Sequence, residues 1–183
     1  NLEHEALSEE ARGYSKRARD GAERLRRILT AMSEASRVEE LMQHAEPERF
    51  DLAAAVEAAV AAYRDVYPGR RFDVSTGGTS AVAQGSPELV IQMLDKLVNN
   101  AVDFHTQQTP IKISLISTGR VDCCLCVQNE GQTIQRDMID TLFDSMVSVR
   151  TTSGDTPHMG LGLYIVRLIA QFHHGQTSIS SND

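Results

Sequence analysis

Residues 8–43 contain no proline and only two glycines, Gly13 and Gly21, and this stretch constrains the chain more than any other. Tyr14, Ala18, Leu25, Ile28, Leu29, Met32, Ala35 and Val38 recur there at spacings of three and four, with Arg, Lys, Glu and Asp between them. That pattern predicts one long, charged helix with a single apolar stripe. Ser8, followed by Glu9 and Glu10, is a suitable start for it. A helix of this length is not stable in water with its stripe uncovered, so it predicts a partner helix. A helical hairpin and a dimeric bundle both satisfy the requirement.

Pro47 ends this element, and the pattern changes. Strands are predicted at 50–52, 71–75, 81–83, 111–116, 121–128 and 176–180, the fourth and fifth forming a hairpin around Gly119. Helices are predicted at 53–65, 87–105, 135–143 and 160–173, with Pro87 in a first turn and Gly175 as a stop. Residues 144–159 are polar and aperiodic, and predict a long loop. The last strand stops near Asp183 without a visible partner, so one further strand is expected to belong to the domain. Residues 1–46 thus form a helical region, and residues 47–183 a mixed domain of ordinary size.

Composition narrows the function. A net charge of -7 argues against broad nucleic-acid binding, which uses a basic face. No apolar run approaches the roughly 18 residues of a membrane helix, and the chain as given is expected to be soluble. Cys123, Cys124 and Cys126 crowd one predicted strand, where neighbours point to opposite faces and pair poorly with each other. Buried thiols in a core strand are expected, as suits a reducing compartment.

Three short constellations carry chemistry. On the helix 87–105, Leu94, Leu97, Val98, Ala101 and Val102 make an apolar face, and Gln92, Lys96, Asn99, Asn100 and Asp103 a polar one. Adjacent asparagines are poor helix formers, costing roughly half a kcal/mol each against alanine. An amide oxygen is a hard ligand suited to Mg²⁺; a solvated polar face is the plainer alternative. Gly160-Leu161-Gly162-Leu163 opens a helix, where bare backbone and free amides favour phosphate. Val127-Gln128-Asn129-Glu130-Gly131 follows a strand, and an oxygen at Asn129 can accept from an exocyclic amine.

In this order and spacing the motifs resemble those of the histidine-kinase ATPase family, which includes gyrase-like and chaperone ATPases. The run Leu94-Asp95-Lys96-Leu97-Val98-Asn99-Asn100-Ala101-Val102-Asp103-Phe104 resembles its N box, 127–134 its G1 box, Leu142-Phe143-Asp144 its F box and 158–166 its G2 box. Gly160 to Val166, then Ala170 and His174-Gly175, are especially similar to the sensor-kinase branch. The first helix is similar to the second helix of that branch's dimerisation and phosphotransfer domain.

The resemblance implies an α+β fold: a two-layer α/β sandwich, a mixed sheet with three helices on one face, preceded by a long helix of a dimerisation hairpin. It implies ATP between two helices, with Mg²⁺ on Asn100. It also implies a cofactor-binding set of Lys96, Asn100, Asp103, Phe104, Asn129, Gly131, Thr133, Ile134, Gly160, Leu161, Gly162 and Leu163, with Arg150 reaching the terminal phosphate. Four positions depart from the family pattern. Lys96 replaces the first N-box asparagine, Asp103 stands where a cation is common, Asn129 replaces an adenine-binding aspartate, and Thr133 replaces the second G1 glycine. Weakened ATP affinity is the expected result.

The family's phosphoacceptor is a His followed by an acid, with Pro about five positions on. His4-Glu5 lacks the Pro, and no other histidine has the context, so the acceptor is expected on an upstream helix and this chain is not expected to autophosphorylate. By resemblance, the intact protein is a membrane-anchored homodimer, joined through its N-terminal helices, with this part in the cytoplasm and a response regulator receiver domain as partner. A degenerate ATP-binding or dimerisation module is the alternative. A serine-kinase anti-sigma factor shares the ATP fold, but the long striped helix counts against it.

Overall fold

A computed structural model describes residues 9–77, 81–106, 109–117, 122–139, 141–144 and 161–182. In chain order the elements are α1 (Glu9–His44), β1 (Glu48–Asp51), α2 (Leu52–Val66), β2 (Phe72–Ser75), β3 (Val82–Gly85), α3 (Pro87–Phe104), β4 (Ile111–Ser117), β5 (Cys123–Gln128), α4 (Arg136–Ile139) and α5 (Leu161–Phe172).

Local chemistry sets the helix starts. The Asp51 carboxylate accepts from Ala54 N–H at 3.1 Å, and Ser86 Oγ accepts from Leu89 N–H at 3.3 Å. Each satisfies a backbone donor that the first turn leaves unpaired, worth about 1 kcal/mol. Beyond its cap, α2 buries Leu52, Ala53, Val56, Val60 and Tyr63, and α3 buries Leu89, Val90, Leu94, Val98 and Ala101.

The main sheet has order β2-β4-β5 and is mixed: β2 runs parallel to β4, and β5 antiparallel to it. Ile111, Ile113 and Leu115 point from β4 into the core beneath α2 and α3. Helix α5 joins the helical layer against α3, where Ile165 and Ile169 meet Leu89 and, from α1, Val38. The result is the expected two-layer arrangement of a mixed sheet under helices, with the long helix in front.

Several expectations need correction. Among the described residues the strands make two sheets, since β1 and β3 pair only with each other. Residues 176–180 are not a ladder strand; Ser181 Oγ instead accepts from Ile134 N–H at 3.0 Å, tying this segment to the loop after β5. The helix expected at 135–143 shrinks to Arg136–Ile139, because Thr141 and Asp144 bond three residues back, to Met138 and Thr141, in successive tight turns. All three cysteines are exposed. Strand β5 flanks β4 on one side only, and Leu125 and Val127 take its inward positions, leaving Cys124 and Cys126 on the outer face opposite Ile116 and Ser114.

The α1 stripe divides in two. Ala35, Val38, Leu41 and Met42, with Ala45 just past the helix end, pack on α3 and α5. Tyr14, Leu25, Leu29 and Met32 stay exposed, Leu29 at 67%.

Candidate functional site

The two asparagines of α3 have different fates. Asn99 Oδ1 accepts from the Tyr67 hydroxyl at 2.5 Å, and one turn earlier Asp95 Oδ1 accepts from the Tyr63 hydroxyl at 2.5 Å. The tyrosines, Tyr63 in the last turns of α2 and Tyr67 at its C-cap, are four residues apart, as are Asp95 and Asn99, so the pairs form parallel rungs between α2 and α3. Burial, then the Asp95 bond, pushes the Tyr63 phenol far above its ordinary range. Asn99 is therefore a structural residue. Asn100 lies on another stripe, that of Leu89, Met93 and Lys96 at steps of four, three and four, and Leu89 and Met93 pack in the cluster containing α5. Among the described residues its half-buried amide has no hydrogen-bond partner.

The loop after β5 meets α3 just beyond Asn100. His105 and Gly131 form an isolated antiparallel bridge, and Thr106 N–H donates to Glu130 O at 2.7 Å. Gly131 must be glycine: a Cβ there would lie 2.1 Å from the Phe104 carbonyl oxygen and 3.2 Å from Asn129 Nδ2. His105 is buried, its Nε2 2.6 Å from Thr109 O. Phe104 is 40% exposed, and Asn129 is half-buried beside it. Thr133 is exposed, Ile134 half-buried and Asp103 exposed.

The head of α5 is the third component. Leu161 is buried and Leu163 half-buried, and a Cβ on Gly162 would meet no described atom within 4 Å. Asp144, ending the F-box run, pairs with Arg167 of α5. Arg150 and Gly160 lie outside the described residues. The structure thus brings Asn100, Phe104, Asn129 and Gly131 to the C-terminal end of α3, and α5 packs on the same helix around Leu89 and Met93.

Lys96, placed in the binding set by resemblance, is engaged by a side chain of α1. Its ammonium lies 2.6 Å from the Glu34 carboxylate of α1, because the Leu89–Asn100 stripe runs beneath that helix before it reaches the end of α3. Sequence reasoning missed Glu34, Tyr63 and Tyr67. The tyrosines carried a signal, since their spacing of four matches that of Asp95 and Asn99. A cleft of about 500 Å³, lined in part by His44, Glu46, Glu48 and Glu88, opens at the other end of α3 and takes no part in this grouping.

Comparison with known proteins bears on what this end of α3 is. Residues 85–183 match the family described as histidine kinase-, DNA gyrase B-, and HSP90-like ATPase. The sensor protein ChvG of Agrobacterium fabrum is 28% identical over 161 residues, which cover 83% of this chain and 27% of ChvG. The heme sensor protein HssS of Staphylococcus haemolyticus is 31% identical over 101 residues, 55% of this chain and 21% of its own. The chain therefore spans only about a quarter of the length of the curated relatives it matches.

Among solved structures, the mycobacterial sensor histidine kinase MprB gives a TM-score of 0.59 at 18% identity, covering 70% of this chain and 81% of that one. Full-length ShkA in complex with AMPPNP gives 0.61 at 18% identity, covering 93% of this chain and 36% of that one. At these identities the likeness is one of fold. Among the described residues no helix is long and apolar enough to cross a membrane. The family match takes in α3, which carries Asn100, the loop carrying Gly131 and α5, and the chain belongs to the histidine kinase-, DNA gyrase B-, and HSP90-like ATPase family.

Proposed function

We infer that the chain is the catalytic part of a sensor histidine kinase, which holds Mg²⁺-ATP between α3 and α5 and donates the γ-phosphoryl to a histidine on an upstream helix. One observation carries this reading. The Asn100 amide, unengaged by any described residue, stands on the α5-facing stripe of α3, one turn from the point where Gly131 lies flush on the Phe104 backbone. The fold likeness to ShkA, solved with AMPPNP, supports it.

The residues suit a nucleotide. Asn100 offers a hard oxygen to Mg²⁺, which would neutralise phosphate charge. Asn129 offers an acceptor for the adenine amine, beside the glycine that lets the base approach closely; Phe104, Thr133 and Ile134 border that space. The backbone around Gly160, Leu161, Gly162 and Leu163 would offer amides to the phosphates. Arg150 would supply a charged donor to the terminal one, and Asp103 places a negative charge nearby, which weakens affinity. Catalysis here is positioning and charge neutralisation: the bond from phosphorus to the ADP oxygen breaks, a bond to imidazole nitrogen forms, and ADP leaves.

No histidine of the chain carries the acceptor motif, so a segment outside it supplies the nucleophile. The phosphoryl then passes to an aspartate of a response regulator. The exposed α1 residues Tyr14, Leu25, Leu29 and Met32 support a homodimer through the N-terminal helices of a membrane-anchored protein.

Titration of a fluorescent ATP analogue with Mg²⁺ tests the site. Saturable micromolar binding is expected, and Asn100→Ala should weaken it about tenfold or more and remove its Mg²⁺ dependence, with the thermal melt unchanged. Unchanged affinity in that variant overturns the role given to Asn100. A second reading, a binding module without kinase activity, is favoured by the diversion of Lys96 to Glu34. Its signature is no saturable binding at high micromolar nucleotide.

A further inference from the structure

Lys96 and Asn100 are four residues apart on one stripe of α3, so their Cα atoms are about 6 Å apart along the helix axis. A flexible four-carbon stem puts the Lys96 ammonium within reach of any phosphate held beside Asn100. It is held instead by Glu34, at 2.6 Å, with the lysine side chain 26% exposed and the glutamate 47%. Glu34 stands one turn before Val38, the deepest residue of the α1 contact at 4% exposure. The ion pair therefore sits where the packed end of α1 gives way to the exposed end, marked by Met32 at 51%.

We propose that Lys96 is shared between two ligands: Glu34 of α1 and the polyphosphate of a nucleotide bound beside Asn100 compete for its ammonium. The inference rests on the nucleotide reading given above. Docked α1 then lowers nucleotide affinity, and nucleotide loosens the hold of α1 by the same factor, because coupling between two binding events is reciprocal. The apolar packing of Ala35, Val38, Leu41 and Met42 supplies adhesion. The ion pair makes that adhesion sensitive to what occupies the site, and α1 becomes the route by which events further along the chain set the loading of the kinase.

The test is a double-mutant cycle on the whole chain, with the Kd of a fluorescent ATP analogue and Mg²⁺ as readout. Glu34→Gln should tighten binding about three- to tenfold, since it frees the lysine for phosphate. In the Lys96→Ala background the same change should do nothing. Glu39→Gln, an equal charge change five residues on, should do nothing in either background. Hydrogen exchange of residues 35–45 should speed up on adding nucleotide to the wild type and stay constant in Lys96→Ala. Saturable binding that Glu34→Gln leaves unchanged, or tightens equally without Lys96, overturns the competition while the nucleotide site stands. Absence of saturable binding in every variant overturns both.

Discussion

His173 Nε2 accepts a hydrogen bond from the Ser86 backbone N–H at 3.0 Å, joining the last turn of α5 to the cap of α3. The other ring nitrogen, Nδ1, donates to Ile169 O at 2.8 Å, so one neutral tautomer satisfies both partners. The ring turns its Cδ2–Nε2 edge to Gly85, where a Cβ would approach Cδ2 to 2.2 Å and Nε2 to 2.5 Å. Two helices that flank the candidate site are thus registered by one imidazole and one missing methyl.

Gly85→Ala should therefore destabilise the fold by about 2 kcal/mol, the cost of forcing a methyl into a packed contact. Urea unfolding measures it, and a loss below half of that would mean that the ring has room to turn.

His174 follows with φ of 57°, the left-handed region, while Gly175 N–H reaches back to Ala170 O at 2.8 Å and His174 N–H to Gln171 O at 3.0 Å. This is a Schellman ending with histidine in the position that glycine usually takes. His174→Gly should raise stability by about 0.5–1 kcal/mol, as relief of left-handed strain outweighs added chain freedom. An unchanged or lower urea midpoint would contradict it.

Tyr63 gives a pH dependence with a fixed sign. Its folded-state phenol is pushed up by burial and by Asp95, whereas an unfolded tyrosine ionises near pH 10. Above about pH 10 the unfolded chain binds fewer protons than the folded one, so this contribution is complete below that pH and is lost as pH rises. Tyr63→Phe should cost about 1 kcal/mol at pH 8, and the gap to the wild type should narrow by pH 11.

Asn99→Ala should cost about 1 kcal/mol of stability through the lost Tyr67 bond and leave nucleotide affinity alone. Asn100→Ala should do the reverse. Thermal melts and nucleotide titrations on the two variants separate the roles of these neighbours, and a shared phenotype would merge them.

All three thiols should react with Ellman's reagent in the folded protein, because all are exposed. Cys123 should be the slowest, since burial foremost, then Cys124 and Asp122, push its thiol up and leave less thiolate. Single Cys→Ser variants identify the slow phase, and a slow phase that persists in Cys123→Ser refutes the order.

Much of this was legible in the residues. The stripe on α1 and the apolar faces of α2 and α3 are periodic, and periodicity survives without knowledge of neighbours. The glycine at 131 stood out only through the family resemblance, and the fold reveals that Phe104 O is what lies against it. Helix chemistry alone does not tell Asn99 from Asn100, which only the resemblance singled out, because their difference is a tyrosine 32 residues before Asn99. The cysteines misled for a related reason: apolar residues alternate with them along β5, and strand chemistry alone does not say which face the helices cover. Glu34 was hidden among the many charges of α1, where nothing local marks it as the partner of a residue 62 positions away. Arg150 and Gly160, two of the expected phosphate contacts, lie outside the described residues.

Helix α1 has 36 residues, which at 1.5 Å each gives a rod of about 54 Å. Its apolar packing on the rest of the molecule begins at Ala35, next to the Glu34–Lys96 pair, so the 25 residues from Glu9 to Ser33 project about 38 Å from that fulcrum. A tilt of about 5° at the fulcrum swings the far tip by roughly 3 Å, and a push of that size at the tip delivers only a small rotation at Lys96. The long helix is geared: coarse travel at one end becomes fine adjustment beside Asn100.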